Sequence, residues 1–175
     1  CIYIVACGSA WHVGMTAQYV IEDMAGIPVR VEVASEFRYR KPLLDKNGLV
    51  IIISQSGETA DSLAALREAK EKGVRTLAVV NVVGSSIARE ADHVFYTLAG
   101  PEISVATTKA YSTQLMASYI LAIQFAFAKK HITEEQYKDY IQELETIPGK
   151  IKRITGRQRN GFSWFGRQNQ VNTGT

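Results

Sequence analysis

Cysteine is scarce in this sequence and forms no recognisable ligand set. Cys1 and Cys7 lie six positions apart in or beside the first apolar run, without a Cys-x-x-Cys or Cys/His neighbourhood, so neither metal nor redox chemistry is indicated. Cys7 reads as a small packed residue, and Cys1, standing so close to a strand, reads as the edge of a cut from something longer. Long apolar runs are missing too. Nothing approaches the roughly 18 residues that span a bilayer, and no basic region precedes the first apolar stretch as in a secretory signal. A cytoplasmic protein with no membrane partner is expected. Neither G-x-G-x-x-G nor G-x-x-x-x-G-K-[ST] occurs, which leaves dinucleotide and P-loop readings without their fingerprint. Acidic residues stop before Pro148: six Lys and Arg and no acid follow it, so residues 1–148 carry a net charge of −3 although the whole chain carries +3. The basic balance belongs to the C-terminal stretch, and nucleic acid is not an expected partner. What remains, 46% hydrophobic and 21% charged residues over 175 positions, suits one soluble domain with a core of its own.

The chain is organised around Ser54-Gln55-Ser56-Gly57-Glu58-Thr59. Before it stands Leu49-Val50-Ile51-Ile52-Ile53, too short for a helix and suited to a strand buried on both faces of a parallel sheet. After it an alanine-rich segment, Ala60 to Lys72, presents Leu63, Ala64, Leu66 and Ala69 at helical spacing. Gly57 permits a tight turn, and the helix start leaves unpartnered N–H groups with partial positive charge. Ser54, Ser56 and Thr59 with the Gln55 amide add neutral donors there, which together would hold a phosphate without a lysine. The plainer reading is that Ser56 or Thr59 caps the helix. Capping needs one such side chain, and four within six residues exceed that need.

The rest of the chain repeats the alternation. Ile2 to Ala6 is a β-branched run ending in Cys7-Gly8-Ser9-Ala10, a second strand-turn-helix junction, with helical spacing from Trp11 to Ala25 and a stop at Gly26-Ile27-Pro28. Val29 to Val33 alternates as a strand near a sheet edge would. Ala34 to Lys41, with three bases close together, is a solvated short helix or a ligand or partner surface. Arg75 to Val80 is a strand running into the polar turn Asn81 to Ser86, where Ser85 or Ser86 would cap a short helix from Ile87 to Ala91. Asp92 to Thr97 is a fifth strand; its His93 has no second ligand-type neighbour and reads as a sheet-edge or hydrogen-bonded histidine, not a metal ligand. The loop from Leu98 to Thr108 leaves the carboxyl end of that strand, where open α/β sheets bind ligands, and precedes a long apolar helix from Lys109 to Lys130. Thr133 with Gln136 has the pattern of a capping box opening a last helix to about Ile147. The expected domain is 1–148, and 149–175, with no period, is expected to be disordered or foreign to the fold. Five strands alternating with helices predict a three-layer α/β/α sandwich on a five-stranded parallel sheet with right-handed crossovers, flavodoxin-like or Rossmann-like.

At Cys7-Gly8-Ser9-Ala10-Trp11-His12, Ser54 to Thr59 and Gly100 to Lys109 the chain resembles the sugar isomerase (SIS) domain family. Ala34 to Arg40, Asn81 to Glu90 and Ala99 to Ile103 resemble the aminotransferase branch that makes glucosamine 6-phosphate from fructose 6-phosphate and glutamine. The resemblance implies that Ser54, Gln55, Ser56 and Thr59 bind the sugar phosphate, and that Ser9, Val105, Ala106 and Thr107 contact the sugar. Two departures matter: the family often has Thr-Ser where Ser9-Ala10 stands, and serine where Thr107 stands. It implies hexose 6-phosphate ligands (fructose, glucose or glucosamine 6-phosphate), no cofactor, and a homodimer, which the long apolar helix also suggests. The family's acid/base glutamate and imine-forming lysine lie in a second SIS domain, so the resemblance carries no catalytic residue onto this sequence. Lys109 reads as structural or as a long-range phosphate partner. The competing readings are a non-enzymatic sugar-phosphate sensor and a stand-alone phosphosugar aldose–ketose isomerase, for which Glu102 and His12 would be the acid/base candidates.

Overall fold

The computed structural model describes residues 1–102 and 107–169, with side chains to Gly156. Five short runs form β1 (Ile2–Ala6), β2 (Val29–Val33), β3 (Leu49–Ser54), β4 (Arg75–Val80) and β5 (His93–Tyr96). All neighbours pair in parallel, in the order β2-β1-β3-β4-β5. Parallel strands need long crossovers, and helices supply them. These are α1 (Ser9–Ala25), α2 (Ala34–Tyr39), α3 (Ala60–Glu71) and α4 (Ser86–Glu90), with α5 (Thr108–Ala128) following β5.

The central strands are covered on both faces, and period two sorts their side chains. Ile2, Ile4, Ala6, Ile51, Ile53 and Val79 pack with α1 and α5, including Val13, Ile21, Ala117 and Ala122. Tyr3, Val5, Val50, Ile52, Ala78 and Val80 pack with Phe37, Leu66 and Ile87 from α2, α3 and α4. The expected three-layer sandwich is therefore present, with β2 and β5 as its edges. The first residue of β5 is His93, exposed as expected of an edge histidine.

The segment 34–41 resolves into α2, whose Phe37 lies fully inside the core. Two of its three bases are engaged, Arg38 with Asp61 at 3.1 Å and Arg40 with Glu32.

The last helix, α6 (Glu134–Asn169), continues past Pro148, where the sequence reading ended it. A proline removes one N–H donor but already holds a helical φ, so the turns on either side keep their own bonds. The chain divides into two units, Cys1–Thr133 and Glu134–Thr175. Of the stretch expected to be disordered, residues 149–169 are helical, and 170–175 lie outside the described residues. Among the described residues no helix is long and apolar enough to cross a membrane, and no cluster of His, Cys, Asp and Glu could hold a metal ion.

Candidate functional site

The strand order reverses between β1 and β3, since β1 leads to β2 on one side and β3 to β4 on the other. Crevices at the carboxyl ends of strands open at such points. Here the turns after β1 and β3 bound a cavity of about 290 Å³ lined by Cys7, Gly8, Ser9, Ala10, Ile53, Ser54, Gln55, Ser56, Thr59, Ser62, Thr107 and Gln114. Every predicted site residue that the structure describes is in that lining: Ser9, Ser54, Gln55, Ser56, Thr59 and Thr107. Val105 and Ala106 lie outside the described residues.

The hydroxyls do not serve as helix caps. Thr59 occupies the N-cap position of α3, but no side chain caps that helix. Thr59 Oγ1 instead faces Ser54 Oγ at 3.3 Å, and Ser54 Oγ accepts the Gly57 N–H at 3.0 Å. Ser56 Oγ accepts the Glu58 N–H at 3.2 Å, which shapes the turn and leaves the Ser56 hydroxyl hydrogen free to donate. The first intrahelical bond to the N-cap carbonyl is made by Leu63 at 2.9 Å, and the three amides before it, at residues 60–62, have no intrahelical acceptor.

Two more helix starts share the cavity. The N-caps of α1 and α5, Gly8 and Thr107, both line it, and neither helix has a side-chain cap bond from its N-cap residue. The backbone at Thr107 has φ +56°, an uncommon setting for a β-branched residue and one that clusters at ligand sites. Three helix starts meet at the cavity and no lysine or arginine is among its described lining residues, an arrangement whose partial positive charge and neutral donors suit an anion.

Surrounding bonds hold this geometry in place. Gly57 has φ +67°, and its carbonyl accepts the Ile87 N–H at 3.0 Å. The Glu58 carboxylate takes the Ser86 N–H at 2.7 Å, so α4 is capped from the β3 turn. Hydrogen bonding from Ser86 holds the Glu58 carboxyl below the ordinary glutamate value. Ser85, expected as a cap, occupies the N-cap position without a cap bond, because its side chain is turned toward Gly57. Asn81 accepts from the Ala99 N–H at 2.7 Å and donates to the Gly100 carbonyl at 2.8 Å, tying the end of β4 to the loop that leads toward Thr107. The sequence showed Asn81 only as part of a polar turn.

The acid/base candidates are elsewhere. His12 is exposed against the Trp11 ring edge, and the Glu102 carboxylate accepts the Ala110 N–H at 3.2 Å in the first turn of α5. Lys109 is exposed and outside the lining.

Sequence reasoning missed Ser62 and Gln114. Both line the cavity, 1% and 2% exposed, and neither Ser62 Oγ nor Gln114 Oε1 has a hydrogen-bond partner. Leaving a buried polar atom unpaired costs about 1–3 kcal/mol. The available signal was a lone carboxamide on the stripe Ala110, Gln114, Ala117, Ala122 that faces the core from α5.

A doubly wound parallel sheet with an anion-suited crevice at its switch point defines the class of domain. The sequence model of the SIS domain matches residues 1–124. The chain belongs to the SIS domain family. It is 60% identical over 152 residues to the glutamine–fructose-6-phosphate aminotransferase (isomerizing) of Clostridium tetani, a match covering 87% of this chain and 25% of that protein. The C-terminal domain of glucosamine-fructose-6-phosphate aminotransferase from Francisella tularensis superposes with a TM-score of 0.81 at 47% identity, over 83% of this chain and 42% of that one. Glucosamine-6-phosphate deaminase from Thermotoga maritima gives a TM-score of 0.70 at 25% identity, over 85% and 44%. The chain thus spans about a quarter of the length of the curated aminotransferases that it matches.

Proposed function

We propose that this chain is the first SIS domain of a cytoplasmic glutamine–fructose-6-phosphate aminotransferase and that its cavity holds a hexose 6-phosphate. In this reading the phosphate meets Ser54, Gln55, Ser56 and Thr59 with the free amides of α3, while Ser9, Thr107, Val105 and Ala106 contact the sugar. The observation that carries it is the start of α3: a ring of hydroxyls that leaves the helix uncapped and faces a cavity. The relatives' names supply the ligand, since fructose 6-phosphate is the substrate named in theirs. Imine formation and isomerisation need an amine and an acid/base group. The described lining offers neither, so this chain alone binds without turnover.

Thermal melting tests this directly. Fructose 6-phosphate or glucose 6-phosphate at 100 times its dissociation constant adds about 2.7 kcal/mol, worth about 5–10 °C for a domain of this size. Ser56→Ala removes a hydroxyl from the turn without touching the core, and the shift should then largely vanish. A full shift in that variant would move the phosphate elsewhere.

The same reading includes a homodimer. Met116, Ile120 and Phe127 of α5 are outside the core stripe, and Phe127 is 40% exposed. Light scattering should give twice the monomer mass of 19.4 kDa, and a monomer at high concentration would remove the dimer.

A further inference from the structure

Helical hydroxyls in this molecule normally bond the carbonyl one turn back. Thr16, Ser112, Thr113 and Ser118 all do so, at 3.0–3.3 Å. Ser62 does not: it is the third residue of α3, the carbonyl four positions earlier precedes the helix, and its hydroxyl bonds no other carbonyl. Its hydroxyl is thus left buried at the cavity wall with no partner. Gln114 is the more telling case. It comes from α5, not from the phosphate turn, stands among alanines on a core-facing stripe, and keeps its carboxamide oxygen unpaired in the lining of the same cavity.

The chemistry of the orphaned atom narrows what completes it. A carboxamide oxygen only accepts, so it needs a donor. A phosphate dianion donates nothing and would repel that oxygen. A sugar hydroxyl donates readily. We infer that Gln114, with Ser62 also unpaired in the lining, is the part of the cavity that reads the hydroxylated carbon chain of the ligand, separately from the turn that holds its phosphate. The inference rests on the hexose-phosphate reading above. Gln114 then acts as a specificity residue: it favours a polyhydroxylated chain over an anion alone, because a site built to pair with a hydroxyl loses most when the hydroxyl is missing.

Titration calorimetry on the 175-residue chain separates the two roles by comparing glucose 6-phosphate with inorganic phosphate, which has the anion and no carbon chain. Gln114→Met keeps the volume and removes the carboxamide. It should weaken glucose 6-phosphate about tenfold, the loss of one neutral hydrogen bond and its geometry, and leave inorganic phosphate unchanged. The ligand-free variant should melt no lower than the parent, since an unpaired buried group has been removed. Ser62→Ala, a smaller change should the first variant fold poorly, should show the same selectivity to a lesser degree. Equal loss for both ligands, or no loss for either, as an ordered water on these atoms would give, overturns the inference while the hexose-phosphate reading stands. Absence of heat from the parent with either ligand at millimolar concentration overturns that reading and this inference with it.

Discussion

A methyl group on residue 57 would sit 2.0 Å from Ser85 Oγ and 2.6 Å from Ser85 Cβ, on a backbone whose φ is +67°. Glycine is required here for two separate reasons, the conformation and the close approach of the next turn. Gly57→Ala should cost about 2–4 kcal/mol, a fall of about 5–15 °C in Tm, and should also abolish hexose-phosphate binding, because the turn it displaces carries Ser54 and Ser56. An alanine variant that melts with the parent would mean that Ser85 gives way and that the turn is softer than its contacts imply. Residue chemistry made this turn legible in the sequence: a glycine among three hydroxyls and an amide, directly after a buried strand, has few other uses. Ser62 and Gln114 were not legible for the opposite reason. Ser62 falls within a regular helical pattern, and Gln114 interrupts an apolar helix in which one polar residue ordinarily faces water. Only the packing of α5 on the sheet turns it inward.

At the scale of elements, the strands were readable because short runs of four to six residues rich in β-branched or aromatic side chains between turn formers fit little else, and the helix ends followed where Gly26 and Gly73 permit left-handed φ. Pro148 misled because a proline's local penalty says nothing about the turns beyond it. Long-range caps were equally hidden. Glu58 capping α4 across 28 positions, and Asp92 reaching back to β4, pair residues that no local pattern connects. Asp92 makes the second of these testable. Its carboxylate accepts from the Thr76 N–H at 2.9 Å and hydroxyl at 2.8 Å, and meets Lys70 at 3.1 Å, fastening the start of β5 to β4. Burial pushes the Asp92 carboxyl up, but the Thr76 bonds and Lys70 outweigh it and leave it below the ordinary aspartate value. A lowered folded value means that the ionised form stabilises the fold. The contribution is complete above the ordinary value of about 3.9 and is lost as pH falls through the lower folded value. Asp92→Asn should therefore melt below the parent at neutral pH, and the gap should narrow as pH drops below about 4. A gap of constant width across that range would show that the bonds to Thr76 matter by geometry and not by charge.

At the scale of the whole molecule, the cavity and both cores are built from residues of one unit. Among the described residues the two buried clusters, with the half-buried residues packed on them, run from Cys1 to Ile132, and no lining residue comes later than Gln114. A residue's contribution to a site depends on what fixes its position, and the elements that fix Ser54, Ser56, Thr107 and Gln114 all precede α6. The second unit begins at Glu134 with an acidic first turn and is a helix of predominantly polar sequence through Asn169. Such a helix gains little from burial of its own and is marginal when isolated. A chain ending at Thr133 should accordingly keep its cooperative melting transition, with Tm within a few degrees of the full chain, and bind glucose 6-phosphate with unchanged affinity. Retained folding with lost binding would assign α6 a part in the site, and loss of the transition would make it a structural member of the domain. The cut also separates the boundary at Thr133 from the one expected at Pro148. A chain ending at Pro148 that is no more stable than one ending at Thr133 would show that the first turns of α6 add nothing to the fold that carries the cavity.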